Sequence, residues 1–189
     1  MRYLYDGPAD ATHTFLFAPG AGAPMTHPFM TRVAKAMGAR GIRVVRFNFP
    51  YMEAGKKVPD RQPVLLDAWR GAVEEHGGGA RVLVGGKSMG GRMASMVADE
   101  LRVRALICFG YPFHPPAKPQ QLRTTHLEVL QTPALILQGT RDAFGTREEV
   151  ATYALSPSIE VHWLEGSDHS LIKGLDAAIE QAVLFTFRH

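Results

Sequence analysis

A serine that is to attack a carbonyl needs an exposed hydroxyl, a base to take its proton and a carboxylate to orient the base. The stretch VLVGGKSMGGR, residues 82–92, offers the first of these. An apolar run passes into Gly86-Lys87-Ser88-Met89-Gly90 and then directly into a helical pattern, so G-x-S-x-G falls at a strand-to-helix turn. Glycine at the flanking positions lets strand and helix approach closely. The sharp turn then pushes the serine out at the start of the helix, beside backbone N–H groups that can receive an oxyanion. The same letters do not make a phosphate loop. G-x-x-x-x-G-K-[ST] requires glycine where Arg81 stands, and a loop where the strand runs.

The partners follow in the chain order serine, acid, histidine. The apolar run Ala134–Leu137 leads into Gln138-Gly139-Thr140-Arg141-Asp142, which places Asp142 in the loop past a strand. The next run, Ile159–Leu164, leads into Glu165-Gly166-Ser167-Asp168-His169, which places His169 in the loop one strand further on. Asp142 is preferred to Asp168 because neighbouring loop side chains seldom face each other. His114, His126 and His162 compete as bases, although His162 lies inside a strand pattern. There is no H-E-x-x-H spacing, and Cys108 is the single cysteine, so neither a metal nor another cofactor is expected.

The first strong apolar run ends in Ala18-Pro19-Gly20-Ala21-Gly22-Ala23-Pro24. A dinucleotide fingerprint would need glycine at Met25, and Pro24 has no N–H to offer a phosphate. The loop reads instead as the second half of an oxyanion hole, with the N–H groups of Met89 and Ala21 as donors; a plain tight turn has the same letters. Tyr111, Phe113 and His114, on a segment stiffened by four prolines (residues 110–121), are expected as substrate-binding walls, together with Tyr51. Lys87 and Arg92 flank the turn and read as solvated surface charges, or as attraction for an anionic substrate.

Strands must carry these loops to one edge. Thr14–Ala18, Ile42–Phe47, Arg81–Val84, Val103–Phe109, Ala134–Leu137 and Ile159–Leu164 read as buried strands. Helical patterns lie between and after them, near 28–39, 62–76, 89–101, 146–155 and 174–187. This alternation predicts the α/β class: a mostly parallel, twisted sheet of about six to seven strands with helices on both faces. Ligands of such sheets bind outside the carboxyl ends of the strands, where all the residues above fall. The chain has 189 residues, 46% hydrophobic and 21% charged, which fits one globular domain over 1–189 and excludes a disordered or fibrous chain. The start MRYLYDGPADATHTF has no apolar signal region, and no run reaches the ~18 apolar residues of a membrane helix, so a cytoplasmic protein is expected. The net charge of +3 is scattered, which points away from nucleic acid and membrane partners. Monomer and homodimer remain open.

FNFPYMEAGKK, GGKSMGGR, GYPFHPP and QGTRDAFG resemble a small branch of the α/β-hydrolase superfamily related to dienelactone hydrolases. That branch includes bacterial proteins, a testis-expressed eukaryotic protein and the hydrolase-like domain of a chromatin-complex subunit. The resemblance implies a core sheet without a large lid and a Ser88–Asp142–His169 triad. Pro19-Gly20 stands where many relatives have His-Gly, and Ser88 replaces the cysteine of dienelactone hydrolases proper. The expected function is hydrolysis of a small ester through an acyl-enzyme on Ser88, with short acyl groups favoured at a shallow uncapped site. The alternatives are a non-enzymatic interaction module of the same fold, and a thioesterase or peptidase using the same triad.

Overall fold

Strands covered on both faces by helices must be apolar from end to end, whereas edge strands can alternate. The computed structural model, which describes residues 1–189, follows this rule across a seven-stranded sheet. Strands β2 (Thr14–Ala18), β3 (Arg43–Phe47), β4 (Val82–Lys87), β5 (Ala105–Phe109) and β6 (Ala134–Gly139) are buried almost throughout. The edges, β1 (Tyr3–Asp6) and β7 (Ile159–Leu164), are half-exposed. The spatial order is β1-β3-β2-β4-β5-β6-β7, with β1 antiparallel to β3 and every other pairing parallel. The order reverses between β2 and β4. Their carboxyl ends therefore border the crevice where open α/β sheets bind ligands.

Two apolar layers clothe the sheet. One packs α1 (Pro28–Gly38) and α7 (Leu175–Arg188) on Phe15, Phe17, Ile107 and Phe109. The other packs α3 (Gln62–Glu75) and α4 (Met89–Ser95) on Leu16, Val45, Val84 and Leu106. Short helices α2 (Pro50–Glu53), α5 (Ala98–Leu101) and α6 (Arg147–Val150) fill the connections. No large cap is inserted over the carboxyl edge. No helix is long and apolar enough to cross a membrane.

Several elements differ from expectation for local reasons. The pattern over 89–101 is not one helix. After Ser95 the backbone tightens to i→i−3 bonds, Met96 to Met93 and Val97 to Ala94, while the Ser95 hydroxyl takes the Arg92 carbonyl. The pattern over 146–155 yields only the four residues of α6, started by a Thr146–Glu149 capping box and closed by i→i−3 bonds at Thr152 and Tyr153. Strand β4 runs on through its glycines to Lys87, paired with β5 as far as Phe109, and a Cβ at Gly85 would strike the Ile107 carbonyl of that strand. Strand β1 is additional.

One buried ion pair ties β1 and the loop after β2 to this frame. Arg46 on β3 contacts Asp6 at 2.8 Å and also donates to the Met25 carbonyl (2.8 Å) and the Thr31 hydroxyl (2.9 Å). Both charged side chains are close to full burial. Removing one partner strands the other charge, so Asp6→Ala is expected to lower stability by about 3–5 kcal/mol in urea unfolding.

Candidate active site

Ser88 joins β4 to α4 with φ 50° and ψ −115°, a left-handed conformation that costs a non-glycine residue about 1–3 kcal/mol. Its N–H donates to the Phe109 carbonyl (3.0 Å), and its own carbonyl accepts from the Arg92 N–H (3.0 Å). The flanking glycines answer a close approach of main chains. A Cβ on Gly86 would run into the Ala18 carbonyl oxygen, and one on Gly90 into the Ala18 and Pro19 carbonyls. The end of β2 thus lies directly against the first turn of α4.

The structure brings Ser88, His169 and Asp142 into one hydrogen-bonded line. His169 Nδ1 lies 2.8 Å from Asp142 Oδ2, and His169 Nε2 lies 2.8 Å from Ser88 Oγ. An ionised carboxylate only accepts, so Nδ1 carries the proton and Nε2 is left to accept from the serine hydroxyl. Asp142 is wholly buried and accepts two further bonds, from the Phe144 N–H (2.8 Å) and from Gln138 Nε2 (3.0 Å). Three donors satisfy a charge that would otherwise be very costly to bury. Gln138 is fixed in turn by the Tyr111 N–H, which donates to its Oε1 (2.8 Å). The Phe144 ring lies on the imidazole at 4.1 Å between centroids. The acid and base loops are stitched together by the Arg141 N–H, which donates to the Ser167 carbonyl (2.9 Å).

The competing acid and bases are occupied elsewhere. Asp168 accepts from the N–H and hydroxyl of Ser170, which hold its carboxyl below the usual carboxylate range. His114 is buried against the Pro115 carbonyl and Glu149. His126 does meet a serine, Ser95 Oγ at 2.8 Å, but Ser95 is buried. Burial and the nearby Arg92 push the His126 imidazole down to about 4.

Several N–H groups around Ser88 have no acceptor within the protein, those of Gly20, Gly22 and Ala23 in the loop after β2 among them. Met89 opens α4, so its N–H has no intrahelical acceptor. Ala21 lies in the exposed loop after β2, and its N–H has no acceptor within the protein. The Ala21 carbonyl accepts from the Tyr51 hydroxyl (2.8 Å), which holds the loop in place.

Ser88 and His169 open onto a cavity of about 530 Å³ walled by Phe29, Met30, Phe144, Ile172 and Leu175. The first turn of α1 and the segment after His169 build these walls where a cap is missing. This corrects one expectation: Tyr111, Phe113 and His114 do not form the walls. All three turn inward and are buried, with the Tyr111 hydroxyl on the Arg123 carbonyl (3.2 Å) and the Phe113 ring packed on Tyr111 and Tyr153. Tyr51 is likewise buried and acts on the Ala21 loop rather than on the cavity at Ser88. Arg92 stays clear of the cavity, whereas Lys87 reaches it and donates to the His169 main-chain carbonyl. Gln138 and Phe144, unmarked by sequence reasoning, flank Asp142 in QGTRDAFG, and their proximity to the acid was the only signal.

The tight packing at the turn gives a direct test. Gly90→Ala is expected to cost about 1–3 kcal/mol in urea unfolding, as overpacking does. Gly22→Ala, where a Cβ meets nothing within 4 Å, should stay within about 0.5 kcal/mol of the wild type.

A family model described as an alpha/beta hydrolase domain matches residues 11–182. Solved structures with similar folds include a serine hydrolase without a lid from Xanthomonas campestris, at 20% identity and TM-score 0.70, covering 95% of this chain and 88% of that one. A dienelactone hydrolase from Anabaena variabilis is similar at 21% identity and TM-score 0.77, covering 99% and 91%. Est1E from Butyrivibrio proteoclasticus is similar at 14% identity and TM-score 0.80, covering 98% and 93%.

Proposed function

The chain belongs to the alpha/beta hydrolase domain family, and on that premise we propose that it hydrolyses small esters of apolar acids through an acyl-enzyme on Ser88. The observation that carries this reading is the unbroken line Ser88–His169–Asp142 opening onto an apolar cavity.

In this mechanism His169 Nε2 takes the hydroxyl proton as Ser88 Oγ bonds to the substrate carbonyl carbon, and the carbonyl oxygen becomes an oxyanion. The N–H groups of Met89 and Ala21 stabilise that oxygen. Asp142, held by Gln138 and the Phe144 N–H, stabilises the imidazolium and keeps Nε2 aimed at the serine. The tetrahedral intermediate collapses, the alkoxide leaves with the proton from His169, and the acyl group stays on Ser88. Water, deprotonated by the same imidazole, then releases the acid and restores the serine.

Two measurements test this. A fluorophosphonate probe is expected to label the wild type and not Ser88→Ala, and that variant should lose about 10⁴–10⁶ in turnover of a p-nitrophenyl ester. Wild-type turnover by Ser88→Ala would refute the reading. The cavity further predicts that kcat/KM rises along short straight acyl chains. Each buried methylene is worth about 0.8 kcal/mol, or about fourfold, so butyrate, with two more, should exceed acetate by about fifteenfold. A flat series from acetate to butyrate would show that the cavity does not hold the acyl group.

A further inference from the structure

Lysine is seldom buried without a carboxylate partner, because the ammonium gives up its hydration. Lys87, the residue before Ser88, is half-buried at the rim of the cavity and has no carboxylate partner. Its stem passes Gly20, and its ammonium enters the space between Gly110, after β5, and the loop after β7. There it donates to the main-chain carbonyl of His169, its one hydrogen-bond acceptor. Gly110, at φ 69°, keeps that space open: a Cβ there would lie 2.8 Å from Lys87 Nζ and 3.4 Å from His169 Nδ1. No carboxylate forms an ion pair with Lys87. Asp142 from the loop after β6 and Asp168 from the loop after β7 act on it through space, and the Phe29 ring of α1 faces it at 5.7 Å. Arg32, on the same cavity, is paired with Asp176.

We propose that Lys87 is a positioning residue for the base: its ammonium grips the His169 carbonyl and so holds the imidazole on the Ser88 hydroxyl. This rests on the hydrolytic reading above. The grip links the nucleophile's strand to the base's loop directly, from the residue before Ser88 to the main chain of His169 itself. It also has a cost in the fold. Burial pushes the Lys87 ammonium down to about 8, opposed by the Asp142 and Asp168 carboxylates. A lysine whose folded value lies below its unfolded one destabilises the protein at neutral pH, and the penalty is fully present below pH 8. An apolar residue of the same length would spare the fold this, so the lysine's place beside His169 calls for a role in the site. Above pH 8 the neutral amine donates more weakly, since charge-assisted bonds are roughly twice as strong as neutral ones.

The test follows the rate of Ser88 labelling by a fluorophosphonate from pH 6 to 10, in the wild type and in Lys87→Met, with thermal melting of both at pH 7. Lys87→Met is expected to melt no lower than the wild type yet to label about tenfold more slowly at pH 7, with the probe's half-saturating concentration unchanged. The wild-type rate is expected to fall above about pH 8, and Lys87→Met to lack that fall. Coincident rates and profiles for a folded Lys87→Met would overturn the role of Lys87 and leave the hydrolytic reading standing. A wild type that does not label at all would bring down both. Should Lys87→Met not fold, the wild-type profile decides alone, and a rate that stays level to pH 9.5 overturns the proposal.

Discussion

A carboxylate without any exposed surface is the constraint around which this molecule's rim is built. Asp142 cannot stay ionised in the interior unless donors surround it, and three do: the Gln138 amide, the Phe144 N–H and the His169 ring. Each recruits further structure. Gln138 is locked by the chain at Tyr111, and Phe144 lays its ring on the imidazole. The need to satisfy one buried charge thereby orients a ring that must point at Ser88. The electrostatics of the acid and the geometry of the base are one arrangement.

Ser88 is positioned by opposite means. Ser88 is held in a backbone conformation that no serine prefers, and close packing of main chains at Gly86 and Gly90 keeps it there. Donors fix the acid, whereas steric crowding fixes the serine. Both depend on parallel strands whose ends lie level, since β2, β4, β5, β6 and β7 each deliver a segment to the same edge.

Much of this was legible in the letters because the rules involved are local. Long apolar runs announce strands covered on two faces, and glycines beside a serine announce a tight turn. The sheet's parallel logic then brings post-strand residues such as Asp142 and His169 together. What was not legible depends on which way a side chain turns. Tyr111 and Phe113 look like pocket walls in a proline-rich loop, but their apolar area is better spent under it. Lys87 looks like a surface charge, but the hollow over Gly110 lets its ammonium turn in to the His169 carbonyl. Gln138 opens QGTRDAFG without a role that the letters assign it; its role exists only because β6 ends beside Asp142. The break after Ser95 escaped for a similar reason, since one hydroxyl bonding to a carbonyl outweighs a helical pattern of methionines.

The position of β7 has a consequence for how the protein comes into being. It is the last strand in the chain and the outermost on its side of the sheet, and His169 lies beyond it. A ribosome extends the chain past Ser88 long before it reaches this segment. Throughout that interval the emerging polypeptide holds Ser88 without the imidazole that later lies against its hydroxyl. A product cut before β7 keeps Ser88 but lacks the imidazole that lies 2.8 Å from its hydroxyl.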